Sequence, residues 1–214
     1  SASAFFLWAL DAVTRVRFAN PGLLFMLPIG GLFIGAIYQI YGKSANGGNN
    51  LLIDEIHQPG AGVPKRMAPL ILIGTLVTHL FGGSAGREGT AVQMGGGIAA
   101  TMARTLKLDP DRRRILLMAG VAAGFGSIFG TPIAGAVFAL EVLIVGRVQY
   151  DALIPCFFAS LLADWSCRVW GIGHTHYHVD VLEAGGLLDL KLMGKVMLAA
   201  IAFGLASKLF TTLS

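Results

Sequence analysis

Apolar residues in this chain run in blocks, and glycine interrupts them more often than charge does. Ala4 to Phe18 begins apolar and then carries Asp11, Arg15 and Arg17, the pattern of a helix end arriving at an interface. Gly22 to Tyr41 is a mostly apolar run of about 20 residues, enough for one membrane span, with Pro28 and Gly30-Gly31 as a bend or packing face. Gly42 to Asn50 has loop chemistry. Leu51-Leu52-Ile53-Asp54-Glu55-Ile56 then reads as the first turns of a helix, N-capped by Asn49 or Asn50. His57 to Pro64 is a second Gly/Pro-rich loop, with His57 a solvated residue rather than a ligand.

Met67 to Phe81 is apolar but short. At about 1.5 Å per residue, about fifteen residues reach two-thirds of a bilayer core about 30 Å thick. The run stops at Gly82-Gly83, and a second helix restarts over Thr90 to Leu106, with Ala and Gly on one face. Lys107 to Arg114 is a polar connection. Ile115 to Val145 is apolar apart from Glu141 and is broken by Gly124, Gly126, Gly130 and Thr131-Pro132 into two pieces of about fifteen residues, each too short for a straight span. Ala152 to Trp170, carrying Asp164, is another span; Gly171 to Leu190 is polar; Leu192 to Leu209 is a last apolar helix. The pattern predicts an all-α, polytopic membrane protein of tilted, partly broken helices, with residues 1–214 one transmembrane domain.

Composition agrees. Of 214 residues, 55% are hydrophobic and 13% charged, with mean hydropathy +0.70 and 29 glycines; soluble domains carry about 25% charged residues. The net charge of +4 is dispersed in small groups, Lys65-Arg66, Lys107, Arg112-Arg113-Arg114 and Arg147, which read as interfacial anchors. No basic face with interleaved aromatics marks a nucleic-acid partner. Cys156 and Cys167, eleven residues apart, share a helix face and fit neither a disulfide framework nor a metal pair. Ser1 to Leu10 lacks the basic n-region of a cleavable leader; the chain begins as if inside a helix and reads as a piece of a longer protein.

The polar chemistry concentrates between the short helices. Irregular backbone is tolerated at membrane depth only where protein buries it or it lines a cavity. The freed N–H groups of a half-helix start carry partial positive charge and attract anions. Two such starts are expected, near Asn49-Asn50-Leu51 and near Glu88-Gly89-Thr90. Glu88 is itself an anion: ionised, it can fill such a site, and protonated it can leave, which links anion passage to proton uptake. Adjacent residues on a helix point apart, so Arg87 and Glu88 are not expected to pair with each other.

Gly86-Arg87-Glu88-Gly89-Thr90 resembles the GREGP motif of the CLC family of chloride channels and chloride/proton antiporters, with Thr90 in place of proline. Gln93, Gly95 and Gly96 continue the match. The stretch Gly130-Thr131-Pro132-Ile133-Ala134-Gly135 onward to Glu141 is similar to the family's NAPLAG-type helix, and Gly48-Asn49-Asn50-Leu51-Leu52 stands where it has GSGIP, with Asn49 in register with the serine. The resemblance implies about the first half of an inverted-repeat subunit that pairs as a homodimer. It implies Glu88 as gate and proton carrier. Gly48, Asn49, Asn50, Leu51, Arg87, Gly89 and Thr90 are the anion-binding set, with Arg87 fixing the loop or tuning the potential. No metal or organic cofactor is implied; the ligands are chloride or fluoride, with a proton, in the lipid bilayer of a bacterial-type plasma (inner) membrane. Val142 stands where the antiporters' internal glutamate is expected, leaving channel and antiporter both open. Thr90 and the Asn pair also look like the fluoride-exporting branch, so chloride and fluoride stay open.

Three other patterns compete. Gly82-Gly83-Ser84-Ala85-Gly86 matches G-x-S-x-G, with His79 nearby, and an intramembrane serine hydrolase using Ser84 is the rival from another class; that elbow needs a strand before the serine, where this chain has an apolar helix. His174, His176 and His178 with Asp180 have metal-ligand character but read as an interfacial loop. Gly124-Phe125-Gly126 starts a dinucleotide-like string without its strand, and reads as close helix packing.

Overall fold

The computed structural model describes residues 1–58, 60, 62–142, 150–173 and 190–213. Among these every regular element is helical and no strand occurs. The helices are α1 (Ala2–Ala19), α2 (Leu27–Tyr41), α3 (Asn49–His57), α4 (Met67–Leu80), α5 (Arg87–Thr105), α6 (Pro110–Phe129), α7 (Pro132–Val142), α8 (Tyr150–Val169) and α9 (Leu190–Leu213). A 3-10 turn over Pro21–Met26 leads into α2. The chain forms two compact units, Ser1–His174 and Thr175–Ser214. The second contributes α9, 24 residues long. Three helical stretches among the described residues are long and apolar enough to cross a membrane: Pro21–Tyr41, Tyr150–Val169 and Leu190–Leu213.

Local chemistry sets the breaks. Helix α4 ends where Gly82, at φ 79°, turns left-handed and Gly83 donates its N–H to the Thr78 carbonyl at 2.8 Å. The same six-to-one bond ends α6, from Thr131 N–H to the Gly126 carbonyl at 3.1 Å, with Gly130 at φ 68°. Pro132 then opens α7, where its missing N–H costs nothing. The division of the long apolar run at Gly130 is therefore as expected, but its first piece is longer than fifteen residues. Asp109 accepts from the Arg112 amide at 3.0 Å and Pro110 occupies the first turn, so α6 begins inside the stretch expected to be a polar connection.

In the first unit α6 is central and packs chiefly on α5 and α8. The α5–α6 crossing is backbone on backbone. A Cβ at Gly95 would run into the Gly120 carbonyl, one at Gly124 into the Ala91 carbonyl, and one at Gly120 would meet Gly95 O at 2.6 Å. On α8, Ala152, Cys156, Ser160, Asp164 and Cys167 form the buried face, at three- and four-residue spacing. Both cysteines are free thiols on that face. Large apolar side chains point outward instead, Phe25 at 86% and Leu32 at 75% exposure, the inverted arrangement that suits a lipid solvent.

Candidate functional site

The site candidates sit where α4 gives way to α5. After Gly83 the chain has no regular structure until α5, whose N-cap is Gly86 at an extended φ of −69° and ψ of 117°. The helix thus starts at Arg87, three residues before the expected Thr90: Gly86 is the extended N-cap, helical geometry begins directly after it, and an acid suits the first turn. Glycine has no side chain to cap with, and no side chain caps this start. The amides of Arg87, Glu88 and Gly89 are therefore left by helix geometry without an intrahelical partner, and a Cβ placed at Gly89 would meet open space. The Glu88 carboxylate curls back toward this start: Oε2 lies 3.5 Å from where a Gly86 Cβ would be.

Arg87 and Glu88 do approach each other, with Nε 3.8 Å from Oε1, against the expectation that they point apart. Both are long side chains in the uncrowded first turn, about half exposed at 42% and 44%. A contact of that length and exposure contributes at most a few tenths of a kcal/mol. Thr90 is buried. Its hydroxyl donates to the Gly86 carbonyl at 3.0 Å and shares a 2.7 Å hydrogen bond with Thr75 of α4. Its amide reaches the same carbonyl at 3.4 Å.

The α3 start has a different geometry from the one expected. The N-cap is Gly48, at φ 54° and ψ −129°, not Asn49 or Asn50, which are the first two helical residues. The chain enters α3 through a tight turn, so Gly48 N–H donates to Ala45 O, Asn50 N–H to Gly47 O and Leu51 N–H to Gly48 O, at 3.0 to 3.2 Å. Of the amides assigned to anion binding here, those three are engaged by the turn. The Asn49 amide and the exposed Asn49 and Asn50 side chains are the donors that face outward. Gly48 lies across from Gln93 of α5, whose Nε2 is 3.6 Å from the position of a Gly48 Cβ. Gln93 is four residues, about 6 Å, along the helix from Gly89, and helical side chains lean toward the N-terminus. Sequence matching noted Gln93 without giving it a role; its i+4 relation to Gly89 was the available signal.

Other candidates are placed as follows. Ser84 is exposed in the turn after a helix, and the His79 ring bonds through Nδ1 to the Thr75 carbonyl at 2.9 Å. No strand precedes the serine and the imidazole is engaged elsewhere, so the hydrolase elbow is not assembled. Glu141 is exposed near the end of α7. The histidines 174, 176 and 178, with Asp180, lie outside the described residues. The arginine run 112–114 was read as interfacial, yet Arg113 Nη2 pairs at 2.7 Å with Glu55 of α3, which is 0% exposed. The Glu55 carboxylate also accepts from the amides of Gly60 and Gly62 at 3.2 and 2.6 Å. Arg104 of α5 donates to the Val63 carbonyl in the same connection. These contacts fix α3 against α5 and α6 from the end opposite Gly48.

Comparison with known proteins places this arrangement. Residues 30–214 match the family model described as voltage gated chloride channel. The chain is 50% identical over 212 residues to the "Chloride/fluoride channel protein" of Pseudomonas syringae pv. tomato, covering 99% of this chain and 46% of that protein. It is 30% identical over 154 residues to the "H(+)/Cl(-) exchange transporter ClcA" of Yersinia pestis bv. Antiqua, covering 69% of this chain and 31% of that one. The crystal structure of a CLC-type fluoride/proton antiporter superposes with a TM-score of 0.85 at 33% identity, over 95% of this chain and 51% of that one. The chain spans about half the length of such relatives, and it belongs to the voltage-gated chloride channel, or CLC, family.

Proposed function

We propose that the full-length protein moves halide across a membrane, fluoride in preference to chloride, with Glu88 competing with the ion for the start of α5. The observation that carries this reading is the uncapped helix start with an acid in its first turn, curled over Gly86. Amides of Arg87, Glu88 and Gly89, and that of Asn49, are the donors to a dehydrated anion. Gly48, Asn50 and Leu51 shape the second start, Thr90 holds the first, and Arg87 adds positive potential. Fluoride is small and strongly hydrated, and the exposed side-chain amides of Asn49 and Asn50 add N–H donors to replace its water. Protonation of Glu88 releases it from the site and couples proton uptake to ion movement. Passive conduction is the second reading, favoured by Val142, which cannot carry a proton.

Kinship with channels and exchangers supports the transport part of this reading, and we extend the proposal as follows. The protein works as a homodimer in a bacterial plasma membrane, performs no covalent catalysis and requires no metal or organic cofactor. The test is liposome flux of fluoride and chloride with simultaneous pH recording. The parent should move halide with protons, and Glu88→Gln should move halide without them. A parent that passes neither halide would sink the assignment; a parent that passes halide with no proton movement selects conduction.

A further inference from the structure

We infer that Thr75, on α4, is a positioning residue for the anion site: its hydroxyl holds Thr90, Thr90 holds the Gly86 carbonyl, and that carbonyl aims the first amide of α5. The inference rests on the transport reading above and assigns a residue to it that neither the motif nor the comparisons mark.

The direction of the relay follows from proton counting. Thr90 has one hydroxyl proton, and the Gly86 carbonyl can only accept, so the 3.0 Å bond uses that proton. The 2.7 Å bond between the two hydroxyls must then be donated by Thr75. Thr75 departs from the habit of this chain. Thr14, Thr78, Thr101 and Thr105 each bond the carbonyl four residues back in their own helix, at 2.7 to 2.9 Å. Thr75 instead reaches across to another helix, and both partners are 3% exposed. A buried hydroxyl is costly to leave unpaired, so the two threonines specify each other.

The consequence reaches the site through one peptide plane. The Gly86 carbonyl and the Arg87 N–H belong to the same trans peptide, so they point in opposite directions. Two donors from Thr90, its hydroxyl and its amide, fix the carbonyl down the helix axis. The Arg87 N–H is then fixed pointing out of the helix start, beside Glu88. Gly86, with no side chain, would otherwise leave this plane free to rock. Thr90 occupies the place of the proline in the motif that the chain resembles. Proline stiffens by its ring, and here a hydroxyl relay from α4 supplies the stiffness.

The experiment is halide flux of the full-length protein in liposomes, read as KM and maximal rate separately, for Thr75→Val, Thr75→Ser and Thr75→Val/Thr90→Val. Thr75→Val keeps the shape and removes the donor. It should raise the halide KM about fivefold, the effect of one buried hydrogen bond, and change the maximal rate less than twofold. Thr75→Ser should restore the parent KM, and the double variant should be no worse than the larger single. Where Thr75→Val does not accumulate, Thr75→Ala is read in the same way. An unchanged KM with reduced rate shows only a packing role and overturns the inference, as does Thr75→Ser behaving like Thr75→Val. A parent that moves no halide overturns the transport reading first, so the two failures are separable.

Discussion

Side chains that meet across the chain decide the local geometry of the site. Glu55 is fully buried with three donors, the amides of Gly60 and Gly62 and the Arg113 guanidinium. Removing it with Glu55→Ala strands a mostly buried arginine, which should destabilise the protein by about 3 kcal/mol. Chemical unfolding in detergent measures this, and a change below about 1 kcal/mol would show that the pair is incidental. Gly48 adopts φ 54° and ψ −129°, a conformation nearly closed to other residues. Gly48→Ala should cost about 1–3 kcal/mol and weaken fluoride binding, checked by thermal unfolding with and without fluoride. The candidate residues were legible in the sequence, because Arg87 and Glu88 between glycines are anomalous in an apolar chain. Their supports were not. Glu55 with Arg113, Thr75 with Thr90 and Gly48 with Gln93 join residues on different helices, and no local pattern announces such a meeting.

At the level of helices, termination signals were easier to read than beginnings. Gly82 and Gly130 end α4 and α6 because left-handed backbone is cheap only for glycine, and a proline follows the second. Beginnings were misplaced where polar residues were taken for loop. Asp109 and Pro110 are a helix start, and Asp109→Ala should cost about 1 kcal/mol, read from the unfolding midpoint. The α3 and α5 starts both lack a capping side chain, so reading Asn49 or Asn50 as a cap shifted the first, and the small-residue pattern from Thr90 onward placed the second late. Close packing was visible as small residues, but which carbonyl faces which glycine was not. Gly120→Val would force its side chain onto Gly95 O and Ala99 Cβ, each 2.6 Å from the Cβ position. That variant should lose its folded, detergent-soluble form on size-exclusion chromatography.

For the molecule as a whole, hydropathy gave the environment directly. Glycine-broken apolar runs and scarce charge predict a helical membrane protein, and the described residues form helices with large apolar side chains outward. The full-length protein should stay in the membrane pellet after alkaline carbonate extraction, and in detergent it should run at twice its subunit mass by light scattering. Recovery in the carbonate supernatant would contradict the first expectation, and a monomer the second. The chain covers 46% and 51% of two of the relatives described.

The seating of α5 on α6 at Gly95, Gly120 and Gly124 has a mechanical corollary. With main chain resting on main chain, there is no cushion of side chains to absorb a slide or a roll. The rod that carries the acid is thereby seated as a fixed post, and in the transport role proposed above the displacement falls to the carboxylate itself, swinging on its own bonds.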